Sequence, residues 1–494
     1  MRIVKSAQAN FGQVDIAKIQ FDARSRDDIP ALLKGLQHIY VNEEARKKVF
    51  AMLEDSLDSQ ADKRVGRPGM ELWKIFVLAT MKLGLNCDFD RLQDLANNHL
   101  LLREMLGHSG WDCPHHYVLQ TLVDNVSLLK PKVLADINQV VVEAGHDLFK
   151  KKPGDALRGR CDSFVVETDV HYPTDTNLLW DAMRKLVNVI GRACKEQGVS
   201  GWRQYKHHLR QIKKRFIRVR KARYSNSENA DIKAKREQEV HDLYRDYLSL
   251  SQNMIDKSET TLDELTKVNG MARIVEIERY MQHARRQIDQ IERRVLNGEV
   301  IPHEEKVFSL FEDHTEWVCK GKAGVPVELG VRVCVLEDQH QFILHHRVMW
   351  QETDDKVAVT MVEAAQLRYP HLTQCSFDKG FYTPANLTQL TKKLDCAVMP
   401  KKGRLNKDDQ AREQDEHFLR ARRQHAAVES CINNLEVHGL DRCLSYGKSG
   451  FERYVAIAVV ACNLHRIGLI LQRQERTRLQ KANRRIKKQI ALAA

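Results

Sequence analysis

Asp378 is the residue of this chain that is best placed to do chemistry. It follows Leu372–Phe377, a short run with Cys and Phe on it that predicts a β-strand, and Gly380 two residues later allows a sharp backbone turn. Thr383 and Pro384 then predict the N-cap and the first residue of a helix. Because ligands of open α/β sheets bind just outside the carboxyl ends of strands, we expect Asp378 to face a crevice. An Asp before a Gly is also an ordinary turn residue.

Two further acids bracket the segment with the strongest strand character. Residues 164–166 read FVV, an aromatic and β-branched run that predicts a central strand, with Asp162 before it and Asp169 after it. Side chains alternate between the two faces of a strand, and these two acids have opposite parity. Only one of them can therefore share a site with Asp378.

A third carboxylate lies on a helix predicted for residues 416–437. Residues at helical spacing form one polar stripe on it: Arg422, His425, Glu429, Asn433 and Glu436. Apolar neighbours would hold this helix against a sheet, which would leave Glu429 partly buried among cations. Three such carboxylates supply the hard oxygen ligands that two divalent cations need to cleave a phosphodiester. Taken alone, Glu429 is better interpreted as a surface helix residue paired with Arg422 or Arg423.

Strand and helix patterns around these acids predict an α/β domain. Strand character appears at residues 316–320, 327–336, 341–350, 372–377 and 397–399, and the second and third of these form a hairpin. Asp354 and Asp355 precede a helix over residues 356–368, and we assign them to its cap and dipole. A helix over residues 174–189 is expected to pack on the sheet. The apolar helix over residues 451–471 is expected to be buried.

Residues 201–304 form a helical insertion in this pattern. Heptad spacing of apolar residues recurs in three segments, separated by turn-like stretches at residues 225–229 and 257–261. This spacing predicts a long helical hairpin or a three-helix bundle. Residues 201–223 hold ten Lys or Arg and no acid. A solvated face usually mixes both signs of charge, so this segment favours phosphate contact.

Composition indicates an intracellular protein with a polyanionic partner. The net charge is +13 and the excess is clustered, which favours nucleic acid. Eleven scattered cysteines without a CxxC pair indicate reduced thiols. No signal peptide or membrane span is predicted. Short helices over residues 67–149 are either a helix-turn-helix DNA reader or a plain helical bundle.

The order of strand acid, hairpin, second strand acid and helix acid resembles insertion-sequence DDE transposases, closest to the ISNCY-type group. The motifs that carry the resemblance are CDSFVVET, EWVCKGKAGVPVELGVRVCVLED, CSFDKGFYTPAN with MPKKGRL, and HAAVESCINNLEVHGLDRC. The resemblance implies an RNase H-like catalytic core, a mixed sheet flanked by helices, with an all-α N-terminal domain and an α-helical, coiled-coil-like insertion. It implies Asp162, Asp378 and Glu429 as catalytic residues and as ligands of two Mg²⁺ ions, which Mn²⁺ can replace. Asp162 is preferred to Asp169 because DSFVVET matches the family motif.

The helix predicted for residues 416–437 departs from the family signature of Tyr, Arg, Glu and Lys. His425 stands in the place of the Arg and Glu436 in the place of the Lys. We expect other cations to contact DNA phosphates in their stead. The residues assigned to DNA binding are Lys322, Lys401, Lys402, Arg422 and His425.

The resemblance also implies the organisation and the activity of the whole chain. Residues 1–155 bind DNA or dimerise, residues 156–200 and 305–472 form the catalytic domain, residues 201–304 are the insertion, and residues 473–494 are a basic tail. The expected function is Mg²⁺-dependent cleavage at the ends of a mobile element, followed by 3′ hydroxyl strand transfer into target DNA. The expected partners are double-stranded terminal repeats and target DNA, bound by a homodimer in the bacterial cytoplasm at the nucleoid. The alternatives are a non-catalytic DNA-binding relative and an RNase H-like nuclease that does not join DNA.

Overall fold

The structure is a computed structural model that describes residues 2–6, 13–56, 69–108, 114–149, 156–267, 271–319 and 327–493. The chain divides into two compact units. The sheet unit comprises residues 1–169 and 318–494, and the helical unit comprises residues 170–317. Each unit has its own hydrophobic core.

The sheet unit begins with a set of short helices. They are α1 (Asp28–Val41), α2 (Glu43–Asp55), α3 (Leu72–Gly84), α4 (Phe89–Asn98), α5 (Leu100–Met105), α6 (Leu119–Val126) and α7 (Pro131–His146). The Asp88 side chain caps α4, since it accepts a hydrogen bond from the Arg91 amide at 2.8 Å. An N-cap of this kind satisfies an amide that the helix itself leaves without a partner.

A mixed sheet lies at the centre of this unit. Its described strands are β1 (Leu157–Thr168), β2 (Glu316–Cys319), β3 (Val327–Glu337), β4 (Ile343–Met349), β5 (Leu372–Phe377), β6 (Cys396–Val398) and β7 (Arg442–Cys443). β1 is central, with antiparallel β3 on one side and parallel β5 on the other. β4 pairs antiparallel with β3, and β6 pairs parallel with β5. β2 lies beside β3 and β7 beside β1. The predicted hairpin and the predicted strands are therefore confirmed.

Helices flank the sheet. They are α12 (Asp354–Arg368), α13 (Pro384–Lys393), α14 (Lys407–Gln414), α15 (Glu416–His425), α16 (Ala427–Leu435) and α17 (Gly447–Ala493). The prediction of one helix over residues 416–437 is wrong. The chain makes a tight turn at Ala426, whose carbonyl accepts from the Glu429 amide three residues later at 3.3 Å, and the helix restarts as α16.

α17 is the long helix on which the N-terminal helices pack. Its first half is buried, as predicted, and α1, α3 and α7 lie against it. By length and composition, its segment Gly447–Ile486 is apolar enough to cross a membrane, but 78% of the qualifying window is buried inside the protein. The helix therefore serves as a core element. The basic tail predicted for residues 473–494 is not a frayed segment, because α17 continues to Ala493.

Two glycines allow α1 and α17 to cross closely. A Cβ added at Gly468 would overlap the backbone carbonyl of Ala31, and one at Gly35 would overlap that of Leu464. Gly468→Ala is therefore expected to lower the free energy of unfolding by about 2 kcal/mol, since the helices must separate. Gly450 lies in the same helix, and a Cβ there has its nearest contact at 3.4 Å. Chemical denaturation should show no loss for Gly450→Ala, and equal effects of the two substitutions would contradict the packing described.

The helical unit contains α8 (Asp175–Gln197), α9 (Tyr205–Lys221), α10 (Ala230–Thr266) and α11 (Met271–Ile291). The three heptad segments are confirmed as α9, α10 and α11. The cap of α8 by Thr174 is also confirmed, with the hydroxyl accepting from the Asn177 amide at 3.2 Å. The expectation that α8 packs on the sheet is wrong, because its apolar face lies in the core of the helical unit with α9, α10 and α11.

The turn predicted at residues 257–261 does not form. α10 continues through it, and the hydroxyl side chains there bond within the helix. The Ser258 hydroxyl donates to the Met254 carbonyl at 2.7 Å, and the Thr261 hydroxyl donates to the Lys257 carbonyl at 2.8 Å. Hydroxyls that bond four residues back in this way are compatible with a helix interior, although the same residues also favour turns.

Candidate active site

Asp162 and Asp378 lie side by side on neighbouring strands. The parallel register of β1 and β5 pairs Cys161 with Phe377, and the next residue on each strand is the acid. Asp378 is the first residue after β5 and keeps an extended backbone (φ −77°, ψ 167°). Adjacent strands are about 4.8 Å apart, and residues in register point to the same face. The two carboxylates therefore share one face of the sheet.

The turn after Asp378 has the form that the sequence predicts. A single 3₁₀ turn follows it, and the Thr383 hydroxyl then accepts from the Asn386 amide at 3.0 Å at the start of α13. The Asn386 side chain donates to the carbonyls of Asp355 at 2.6 Å and Phe381 at 3.0 Å. Asn386 thus ties the first turn of α12 to the turn beyond Asp378. The Asp378 side chain is exposed to solvent, which is more open than the crevice that we expected.

α15 and α16 lie against the strands that carry these acids. On β5 the Ser376 hydroxyl hydrogen-bonds His425 Nδ1 at 3.0 Å, and α16 packs on β1. Glu429 lies in the first turn of α16 and is exposed, so the expectation of a partly buried carboxylate is wrong. Its charge nevertheless acts on Asp162, as the pKa of that residue indicates.

Asp162, Asp354, Asp378 and Glu429 form one electrostatic cluster, which we call the carboxylate cluster. Burial is the largest cause that raises the pKa of Asp162, and together with the charges of Asp378, Asp354 and Glu429 it brings this pKa to about 7, against a lowering by the Ser163 amide. That amide donates to Asp162 Oδ1 at 2.8 Å. Like charges that are held together disfavour ionisation of the most buried member. The cluster therefore carries an excess of negative charge, because all of its members are acids.

Arg160 does not supply the missing positive charge. It lies two residues before Asp162 on β1, and its Nε is 2.9 Å from Glu337 Oε1 on β3. Burial raises the pKa of Glu337 to about 7, and the Arg160 charge opposes this rise. Arg160 and Glu337 thus form a buried pair of their own beside the carboxylate cluster.

Asp354 is the member of the cluster that the sequence analysis missed. It occupies the first turn of α12, as predicted, but its Oδ1 accepts from the Ser163 hydroxyl at 2.6 Å. It also lies against Gly380, where an added Cβ would be 2.9 Å from Asp354 Oδ2. The interpretation of Asp354 as a cap residue is therefore incomplete. No sequence signal distinguishes this Asp, because acids are common at helix starts.

Removal of the Ser163 hydroxyl is expected to destabilise this arrangement. Ser163→Ala takes away the hydrogen bond to a charged acceptor and should lower the free energy of unfolding by about 1 to 2 kcal/mol. Ser127 is a matched control, since its exposed hydroxyl donates to a backbone carbonyl at 2.7 Å within its own helix. Urea denaturation should place Ser127→Ala within about 0.5 kcal/mol of the unchanged protein. A smaller loss for Ser163→Ala than for Ser127→Ala would contradict a structural role of the Ser163 contact.

The donor set of the cluster is suited to a hard divalent cation, although its geometry is open. Carboxylate oxygens are the ligands that Mg²⁺ and Mn²⁺ prefer, and an excess of negative charge favours their binding. Within the ranges that the structure describes, no three His, Cys, Asp or Glu side chains are grouped closely enough to hold one ion. The exposed Asp378 and Glu429 would have to turn toward Asp162 to share an ion with it.

Asp169 lies apart from this cluster. It follows the last residue of β1, is exposed, and its Oδ1 is 3.7 Å from Arg442 Nη1. Along an extended strand, the intervening residues put it about 23 Å from Asp162. The geometry therefore brings Asp162, and not Asp169, beside Asp378.

The residues assigned to DNA contact differ in their environments. Lys401 forms an ion pair with Asp409, and Arg422 Nη1 is 3.8 Å from Glu413 Oε2, so both cations already have acidic neighbours. Lys402 is exposed. Lys322 lies outside the described residues.

The environment of His425 does not fit the phosphate contact that was assigned to it. Burial lowers the pKa of His425, which leaves its ring neutral at physiological pH. Its Nδ1 is engaged with Ser376, and its buried Nε2 has no hydrogen-bond partner within the described part of the chain. The neutral ring therefore positions the end of α15 on β5.

Comparisons of the chain with protein-family models, with curated proteins and with solved structures gave no match. Its function is therefore inferred from the residues themselves and from the arrangement of the carboxylate cluster.

Proposed function

We propose that the chain is a DDE transposase that cleaves DNA at the ends of a mobile element and joins the freed ends to target DNA. One observation carries the proposal. Asp162 and Asp378 directly follow the paired residues Cys161 and Phe377 of two adjacent parallel strands, and Glu429, on a helix that packs against this sheet, adds its charge to theirs. This combination of two strand acids and one helix acid is what the resemblance to DDE transposases implies.

The strand order supports an RNase H-like core. The first strand, β1, is central, the antiparallel hairpin strands β3 and β4 extend the sheet on one side, and the parallel strands β5 and β6 extend it on the other. In such a core the acid on the central first strand and the acid that follows the adjacent parallel strand meet at the middle of the sheet. We assign Asp162 on β1 and Asp378 after β5 to these two positions.

Asp162, Asp378 and Glu429 would hold two Mg²⁺ ions. When bound, such a pair of ions activates the attacking oxygen and stabilises the leaving 3′ oxygen of a phosphodiester. Asp162 must lose its proton before it can ligate an ion, and its pKa of about 7 means that this loss occurs near neutral pH. Asp354, held by Ser163, adds negative charge to the same cluster.

The proposed reaction has two steps. In the first, water attacks the scissile phosphate, the bond to the 3′ oxygen breaks, and the element ends in a 3′ hydroxyl. In the second, that hydroxyl attacks a phosphate of target DNA, and the target strand leaves with its own 3′ hydroxyl. Lys402 and Arg422, both exposed, would contact DNA phosphates near the site. We further propose that a homodimer holds the two ends together at the bacterial nucleoid.

A cleavage assay tests the proposal. Labelled duplexes that cover the DNA on each side of the coding sequence are incubated with the protein and with Mg²⁺, Mn²⁺ or a chelator. We expect nicked ends that carry a 3′ hydroxyl and joined products with a target plasmid, both only with the metal. Cleavage without joining would favour the nuclease, and metal-independent binding without cleavage would favour the non-catalytic DNA-binding relative.

A further inference from the structure

One face of α9 is strongly basic, and the packing of the helix holds this face toward solvent. Ile212, Phe216 and Val219 are buried on the opposite side of α9. The Phe216 ring stacks on that of Trp180, with centroids 5.4 Å apart and an interplanar angle of 13°. The orientation of the helix is therefore fixed by its apolar side.

The cations on the exposed side share two properties. They are exposed, and none of them forms an ion pair with any residue that the structure describes. They are Lys206, Arg210, Lys213, Lys214, Arg218 and Lys221, which we call the α9 basic face. Two other cations of α9 are engaged elsewhere, since Arg215 Nε donates to Asp246 Oδ1 at 2.8 Å and Arg220 lies over the Phe216 ring at 5.7 Å.

This face differs from four arginines on other helices of the helical unit. Arg236, Arg245, Arg273 and Arg285 each form an ion pair with an acid of the same unit. α9 itself carries no acid. Unbalanced like charges along one helix repel each other, so their arrangement is favourable only when a partner supplies negative charge.

We propose that the α9 basic face binds the phosphate backbone of duplex DNA. At a rise of 1.5 Å per residue, the face extends over about 22 Å. A duplex of that length presents about 13 phosphate charges, so its backbone can meet every cation of the face. The choice of DNA as the polyanion rests on the proposed function. Because the contacts are made to phosphates, the α9 basic face holds DNA without reading its sequence.

A matched pair of variants of the full chain tests this inference. The first carries Lys206→Gln, Arg210→Gln, Lys213→Gln and Lys221→Gln. The control carries Arg236→Gln, Arg245→Gln, Arg273→Gln and Arg285→Gln, which removes the same net charge from the same unit. Affinity for a fluorescent mixed-sequence duplex is measured by anisotropy over a range of salt concentrations. Thermal melting of each variant shows that it is folded.

We expect the α9 variant to bind the duplex at least about tenfold more weakly than the unchanged chain. The slope of log affinity against log salt should become shallower by about 3 to 4, because four phosphate contacts are lost. The control should keep both values.

Two results would overturn the inference. One is equal weakening in both variants, which would reflect net charge alone, and the other is unchanged binding by a folded α9 variant. The inference would also be overturned if the α9 variant lost binding to single-stranded RNA or to phosphatidylserine vesicles while its binding to the duplex stayed unchanged. Failure of Mg²⁺-dependent cleavage by the unchanged chain, with α9-dependent duplex binding intact, would contradict the proposed function and leave this inference standing.

Discussion

Asp378→Asn is expected to reduce Mg²⁺-dependent cleavage of element ends by at least about 10³-fold while the affinity for the same DNA stays unchanged. The substitution keeps the size of the side chain and removes one ligand charge from the carboxylate cluster. It removes no Lys or Arg, so contacts with phosphates are retained. Single-turnover cleavage of a labelled duplex and anisotropy on the same duplex measure the two quantities separately.

Asp169→Asn is the matched control for this prediction. It makes the same chemical change in an exposed Asp that is paired with Arg442 and lies beyond the end of β1. Cleavage should fall little in this variant. A large loss of cleavage in Asp169→Asn, with cleavage retained in Asp378→Asn, would mean that Asp169 and not the carboxylate cluster supports cleavage. Loss of DNA binding by Asp378→Asn would show that the residue acts through the fold.

Asp162→Asn is expected to stabilise the metal-free protein at alkaline pH. Burial and the neighbouring carboxylates raise the pKa of Asp162 to about 7, whereas the unfolded chain ionises near the ordinary value of 3.8. The folded protein thus loses stability from this group as pH rises from about 4 to about 7, and the loss is complete above that range. An Asn at this position is uncharged and does not cause this loss of stability. At about pH 8 the free energy of unfolding should therefore increase by about 2 to 4 kcal/mol.

Mg²⁺ should reverse the order of stability of the unchanged chain and the Asp162→Asn variant. Binding to the folded state stabilises the unchanged chain, and Asp162→Asn lacks a charge needed for that binding. Thermal melting at about pH 5 and about pH 8, each with Mg²⁺ and with a chelator, gives the four comparisons. The advantage of Asp162→Asn should shrink at the lower pH, where Asp162 is largely protonated. An Asn variant less stable than the unchanged chain at alkaline pH without metal would contradict the carboxylate cluster.

Local chemistry explains why much of the fold was predictable. The N-caps at Asp88, Thr174 and Thr383 depend on hydrogen bonds between residues three apart. The hairpin of β3 and β4 and the heptads of α9 to α11 follow from short-range apolar periods. Errors occurred where a local signal was ambiguous. Residues 257–261 are rich in Ser and Thr, which favour turns in isolation, yet their hydroxyls bond within α10.

Tertiary contacts decided the composition of the candidate site. Asp354 looks like a helix-start residue in the sequence, but it accepts a hydrogen bond from Ser163, which is 191 residues earlier in the chain. Glu429 was expected to be partly buried, and it is exposed in the first turn of α16. Such features depend on which elements meet in space, and periodicity within one element carries no information about that.

The sequence by itself determined most of the elements and that Asp378 directly follows a strand, because strand patterns, caps and turns act over a few residues. It also predicted that one of Asp162 and Asp169 must face away from Asp378, since side chains alternate along a strand. Only the tertiary structure put Asp162 beside Asp378, added Asp354 to the cluster and removed α8 from the sheet. The physical reason is that register and packing are set by the burial of distant apolar faces against each other, a long-range property of the whole chain.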